Sequence, residues 1–185
     1  HNLVEELRRR AERRGRTLRI IEADLASPAE LLLPDEPAVV VAPLHVVQSL
    51  DPALRAPLLG ALREVIAPGT IVAVSVVDES TLLDAGLSAP GQSVPEMREI
   101  GGWVYSSEPL WLQASDAELR VRRLRQRVSP SGEMERAVHD DVLHRLSPDR
   151  LELEAEEAGY RPGGRVSVRS GPEEADSVLV LLEAA

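Results

Sequence analysis

Residues 38–50 read AVVVAPLHVVQSL. The run from Ala38 to Ala42 is wholly apolar, rich in Val and too short for a helix. It predicts a strand covered on both faces, as strands of a parallel sheet are. Residues 52–66 then carry Leu54, Leu58, Leu62 and Val65 at helical spacing, which predicts a helix with that face turned inward. Ala67-Pro68-Gly69 stops it, and residues 70–77 (TIVAVSVV) form a second apolar strand running into Asp78-Glu79-Ser80. Strand, helix, strand is the unit that places two strands in parallel and puts the helix across one face.

Working outward from this unit, Leu3, Val4, Leu7 and Ala11 recur at helical spacing with acids and arginines between them. They predict an amphipathic helix, with Asn2 as a candidate N-cap and Gly15 at its end. Residues 18–21 predict a short strand, with Glu22-Ala23-Asp24-Leu25 at its carboxyl end. Beyond residue 80 the pattern changes. After a loop around Ala89 to Pro95, three segments (103–113, 119–128 and 133–144) read as antiparallel strands. Ser129-Pro130-Ser131-Gly132 is the expected turn between the last two. Ser147-Pro148 opens a helix to about Ala158, Gly159 ends it, and residues 177–182 form a closing strand.

Composition narrows the function. The 185 residues carry a net charge of −10, which disfavours a nucleic-acid partner gripped through its phosphates. There is no Cys, hence no disulfide, thiolate nucleophile or thiolate-bound metal. No apolar run approaches the ~20 residues of a membrane span, and no signal peptide opens the chain, so no membrane partner is expected and the cytoplasm is the expected location. The 21 basic side chains are all Arg. The aromatic residues are Trp103, Tyr105, Trp111 and Tyr160.

The order of these elements resembles the class I S-adenosylmethionine-dependent methyltransferases. Glu22-Ala23-Asp24-Leu25 is similar to that family's acidic motif after strand 3. Residues 39–50 resemble its strand-4 motif, and residues 62–74 its following helix, Pro-Gly turn and strand 5. Residues 146–160 and 178–181 resemble the closing helix and last strands. The resemblance implies a Rossmann-like α/β sheet with an antiparallel β insert before the last helix. It also implies a single domain over residues 1–185, with 81–145 as the substrate-side insert, and S-adenosylmethionine as cofactor. The implied activity is methyl transfer to an O or N atom of a small-molecule acceptor, and a homodimer is compatible with it. The family's first strand, Gly-rich cofactor loop and second strand have no counterpart here, and neither Gly101-Gly102 nor Gly163-Gly164 replaces that loop, because neither lies between a strand and a helix as required. In family geometry those strands lie between residues 18–21 and the strand at 38–42, so without them residues 18–21 would have no neighbour and carry unpaired amides. The expectation is therefore that the chain is incomplete or that another element fills the gap.

By the resemblance, Asp24 accepts the adenine amine, with Ala23 and Leu25 beside the ring, while Ala42, Pro43 and Leu44 border the cofactor. Position supports this independently, since open α/β sheets bind ligands at the carboxyl ends of their strands. His45 and Gln48 follow and are expected to face the acceptor, with His45 as candidate general base. Trp103, Tyr105 and Trp111 have the same parity on one predicted strand, so an aromatic wall over the acceptor is one reading and packing of the insert is the other. Arg120, Arg122, Arg123, Arg125 and Arg127 form a basic run that could attract an anionic acceptor, but they read first as a solvated face paired with acids across the hairpin. A four-residue turn would set Arg120 against Asp141 and Arg125 against Arg136. His139 and His144 fall on opposite strand faces, so no metal site is expected. Two rivals remain: a non-catalytic binding or regulatory protein on the same fold, and another nucleotide-using α/β enzyme, such as a nicotinamide oxidoreductase.

Overall fold

A computed structural model describes residues 2–25, 27, 37–77, 95–169 and 176–185. The expected Asp78-Glu79-Ser80 run and the loop residues 89–94 lie outside them. The element order is α1 (Asn2–Arg13), β1 (Val39–Ala42), α2 (Pro52–Val65), β2 (Ile71–Val77), β3 (Glu96–Ile100), β4 (Trp103–Ala114), β5 (Glu118–Val128), β6 (Met134–His144), α3 (Pro148–Glu157), β7 (Tyr160–Val168) and β8 (Ser177–Ala184). The strands form two four-stranded sheets, one ordered β1-β2-β8-β7 and the other β3-β4-β5-β6. No helix among the described residues is long and apolar enough to cross a membrane.

The first sheet holds the core. β1 and β2 run parallel with Val40 beside Val72, the crossover being α2, and β8 returns antiparallel with Leu182 beside Val72 and Val180 beside Val74. Leu151 of α3, Val180 and Leu182 are wholly buried, and Val72, Val74 and Val76 nearly so. α3 starts where expected, with the Ser147 hydroxyl accepting from the Arg150 N–H at 3.2 Å. Tyr160 closes the core from the end of α3. Its hydroxyl donates to the Leu59 carbonyl at 3.0 Å, and burial pushes the phenol up to about 12.

Several expectations are corrected here. Residues 18–21 form no strand, because no neighbouring strand among the described residues exchanges hydrogen bonds with them. Leu18 and Ile21 are 52% and 47% exposed. β1 is covered on one face only, with Val39 and Val41 exposed. The inner face of α2 runs through Arg55, Leu59 and Leu62 to Ile66 at its C-terminal cap; of the expected residues Leu62 lies on it, whereas Val65 is 40% exposed. The sequence hides this because the face is centred partly on a charged residue: Arg55 is buried against Glu154 of α3, Nε to Oε2 at 2.9 Å.

Two strands were not expected. β3 is polar and exposed along its length, and Gly101 and Gly102 join it to β4 in a two-residue turn, both at positive φ. β7 contains Pro162-Gly163-Gly164, which reads as a breaker. As an edge strand it tolerates the proline, and the register shift between Pro162 and Gly164 absorbs Gly163. A Cβ at Gly163 would stand 3.2 Å from the Leu181 carbonyl oxygen. Gly163→Ala is therefore expected to destabilise by about 1–2 kcal/mol through overpacking. Gly60→Ala, in the open interior of α2, should stabilise by up to ~1 kcal/mol. Urea unfolding of the two variants measures both signs.

Candidate functional site

The carboxyl end of β1 is where the first sheet meets the second. Ala42 packs partly into the core, Pro43 ends the strand, and the chain turns through residues 44–49. His45 sits in this turn with φ of 70°. That left-handed conformation costs a non-glycine residue about 1–2 kcal/mol, so its surroundings must impose it. The His45 carbonyl accepts from the Ser49 N–H at 2.8 Å. Gln48 is 1% exposed, its Oε1 accepting from the Val77 N–H at 2.9 Å and its carbonyl from the His144 N–H at 2.7 Å. Expected as an acceptor-facing residue, Gln48 instead lies inside the framework, spending its side-chain oxygen on the end of β2.

A cleft of about 750 Å³ opens between this turn and the second sheet, lined by His45, Ser107, Arg123, Arg125 and Asp141 among others. The register explains the grouping. Ser107 lies opposite Arg125, and Val121 opposite Asp141, so these side chains share one sheet face with Leu119 and Arg123. A smaller recess of about 340 Å³ continues the cleft past Glu96, Ser107 and Arg125 to Tyr105 and Arg127. Arg127 is held by Glu135 at 2.6 Å, whereas Arg123 and Arg125 flank one carboxylate, Asp141, at 3.9 and 3.7 Å.

His45 is half-buried. Burial first, and the positive charge of Arg123 second, push its imidazole below the ordinary value of 6.5, while Asp141 acts in the opposite sense. It is therefore neutral near pH 7 and able to take a proton. Its Nδ1 is buried and bonded to nothing among the described residues, although a buried ring nitrogen ordinarily finds a partner.

The aromatic residues do not form one wall. A bulge between Pro109 and Trp111 moves Trp111 opposite Arg122, onto the outer face. There it lies beneath the Arg122 guanidinium at 5.3 Å, and Arg122 holds Asp140 in a fork at 2.6 and 2.7 Å. Trp103 stacks under Arg127 at 5.6 Å, and Tyr105 lines the smaller recess. Pro109 cannot donate to the ladder, which is the sequence signal for the bulge.

The arginine register is also one residue from the expectation. Ser129 N–H bonds Glu133 O, so the turn has an extra residue. Arg122 then opposes Asp140, Arg125 opposes Ala137, and Gln126 opposes Arg136. His139 and His144 do lie on opposite faces, and among the described residues no three His, Asp or Glu side chains gather as a metal would need.

Ala23, Asp24 and Leu25 do not line the cleft. They lie in an irregular segment where the Asp24 carbonyl accepts from the Ser27 N–H at 3.0 Å. Leu44 is 41% exposed. Arg123 and Asp141, which face His45, read in the sequence as part of a solvated arginine face and of a cluster rejected as a metal site rather than as partners of His45. Their shared face follows once the five-residue turn is known.

No family model matches the chain, and no curated protein matches it in sequence. Solved structures do. A S-adenosylmethionine-dependent methyltransferase from Clostridium acetobutylicum ATCC 824 matches with a TM-score of 0.72 at 10% identity, over 99% of this chain and 71% of that one. DesVI of Streptomyces venezuelae gives 0.65 at 15% identity, over 94% and 69%. The sugar N-methyltransferase KedS8 from Streptoalloteichus sp ATCC 53650 gives 0.63 at 14%, over 92% of this chain, which spans 65% of KedS8. At these identities the likeness is one of fold: the chain has the α/β fold of the class I S-adenosylmethionine-dependent methyltransferases.

Proposed function

We propose that this chain carries the acceptor side of a S-adenosylmethionine-dependent methyltransferase that acts on an O or N atom of a small molecule, with His45 as general base. The observation that carries the reading is a histidine with a strained, left-handed backbone just past the carboxyl end of β1, in the wall of a cleft large enough for a small molecule. Strain at a polar residue in a cleft is the kind of feature that function maintains.

The residues present fit such a cofactor at its reactive end. Ala42 and Pro43 offer little side chain beside the backbone, and His45, whose buried Nδ1 has no partner among the described residues, follows them. Asp24, exposed on the preceding segment, would accept the adenine amine by the family resemblance. When bound, the cofactor supplies an electrophilic methyl carbon. The chain's own part is to orient the acceptor in the cleft, exclude water and receive the proton that the acceptor's hydroxyl or ammonium gives up. Among the similar structures, KedS8 is a sugar N-methyltransferase. That supports an amine on a small polyhydroxylated molecule as the first acceptor to try.

Calorimetric titration with S-adenosylhomocysteine tests the cofactor half of the reading. One-site binding is expected, weakened about tenfold in Asp24→Ala, the worth of one charge-assisted hydrogen bond. A folded chain that takes up no S-adenosylhomocysteine would favour either a non-catalytic binding protein on this fold or an enzyme whose cofactor loop lies outside these residues, and repeating the titration with any upstream residues restored separates the two.

A further inference from the structure

We propose that Gln48 is a positioning residue, whose two bonds to the ends of β2 and β6 clamp the 44–49 turn between the sheets and keep His45 in its left-handed conformation, facing Arg123 and Asp141. The catalytic meaning rests on the reading of His45 given above, but the clamp does not.

β1 ends at Ala42, opposite Val74. Beyond that point β2 continues to Val77 without a strand on that side among the described residues, and Val77 is 2% exposed. Its N–H would be a buried donor with no ladder partner, and the Gln48 Oε1 supplies one at 2.9 Å. At the other sheet, the N–H of His144, the last residue of β6, bonds the Gln48 carbonyl at 2.7 Å. One buried residue thus joins two strands from different sheets, three positions after His45. Between Gln48 and His45 the chain has little freedom, because Ser49 N–H also bonds the His45 carbonyl and the Ser49 hydroxyl bonds the Val46 carbonyl at 2.9 Å. The left-handed backbone at His45 is the point at which this pinned turn meets the end of β1. The sequence requirement is specific: a neutral acceptor at the reach of a Gln amide. Asn is one methylene short, and Met fills the volume without an acceptor for a backbone N–H.

The test compares Gln48→Met and Gln48→Asn with the parent by nuclear magnetic resonance. The His45 ring is assigned by its loss in His45→Gln. In both variants Val77 amide exchange should quicken about tenfold or more. The His45 titration should move up toward 6.5, as the ring leaves its buried place beside Arg123 and Asp141. In a turnover assay kcat should fall more than KM rises. A folded Gln48→Met with faster Val77 exchange and an unmoved His45 titration would overturn the proposal, reducing Gln48 to a packing residue. Loss of folding in Gln48→Met transfers the same readings to Gln48→Asn, and loss of folding in both would equally overturn it. If the parent methylates no acceptor, the functional reading fails while the His45 titration still decides the clamp.

Discussion

Arg55→Met is expected to destabilise the protein by about 3 kcal/mol at neutral pH, which lowers the midpoint of thermal unfolding by about 10 °C in a chain of this length. Arg55 is 3% exposed and Glu154 is 6% exposed, and they meet in a fork, Nε to Oε2 at 2.9 Å and Nη2 to Oε1 at 3.1 Å. The pair is the polar centre of the α2–α3 contact. Burial by itself would push the Glu154 carboxyl up. The hydrogen bonds from Arg55 and Arg150 outweigh it and hold the group below its ordinary 4.5. Removing Arg55 leaves burial opposed only by Arg150, whose own side chain is largely exposed.

The sign with pH follows. In the parent, the depressed carboxyl contributes stability above its unfolded value and loses it as pH falls through the folded one. In the variant the carboxyl is raised instead, so its penalty is full at neutral pH and relieved as acid protonates it. The gap between parent and variant should therefore narrow from pH 7 to pH 4. The double variant Arg55→Met with Glu154→Leu should recover most of the loss, because no buried charge is left unpaired. A gap that stays constant with pH would show that packing, and not the charge, is what Arg55 provides.

How much of this arrangement is legible in the sequence depends on whether local pattern or long-range pairing decides it. β1, α2, β2, α3 and β8 are legible because each buries an apolar face of its own, and Ser147-Pro148 marks a helix start by chemistry confined to four residues. Residues 18–21 show the limit. Their apolar pattern is a strand's, but a strand exists only where a neighbour takes its hydrogen bonds. β3 and β7 fail in the opposite direction: their sequences are polar or broken by Pro and Gly, and pairing with β4 and β8 makes them strands.

The cleft was legible at one lining residue and obscured at the residues opposite it. His45 is found by its position after an apolar strand, which is local information. Arg123 and Asp141 require the register of a hairpin, and one extra residue in the Ser129–Glu133 turn exchanges the two faces of the paired strands. The bulge at Pro109 and Trp111 does the same to the aromatic residues. Both errors are of a single residue, and a single residue is all that separates the cleft face from the solvent face. Gln48, expected to face an acceptor, is buried instead, since no local pattern shows that the N–H of Val77 would lack a partner.

His45→Gln is expected to lower kcat/KM for the methyl acceptor by about 10²-fold while leaving S-adenosylhomocysteine affinity within a factor of about two, the range set by removing a general base from a reaction also driven by orientation. The pH profile tells a lost base from a displaced acceptor. In the parent, log kcat/KM should fall on the acid side with an apparent pKa below 6.5, because burial and Arg123 hold the imidazole neutral. His45→Gln should abolish that limb, whatever residual rate is left. The flanking charges then move it in opposite directions. Arg123→Met removes a positive neighbour and should shift the limb to higher pH. Asp141→Asn removes the negative one and should shift it lower. The same ring enters stability with the matching sign: a histidine held neutral by folding costs stability as pH falls below 6.5, and His45→Gln should remove that dependence. If the limb persists in His45→Gln, the proton leaves by another route, and His45 is only a strained residue in the wall of the cleft.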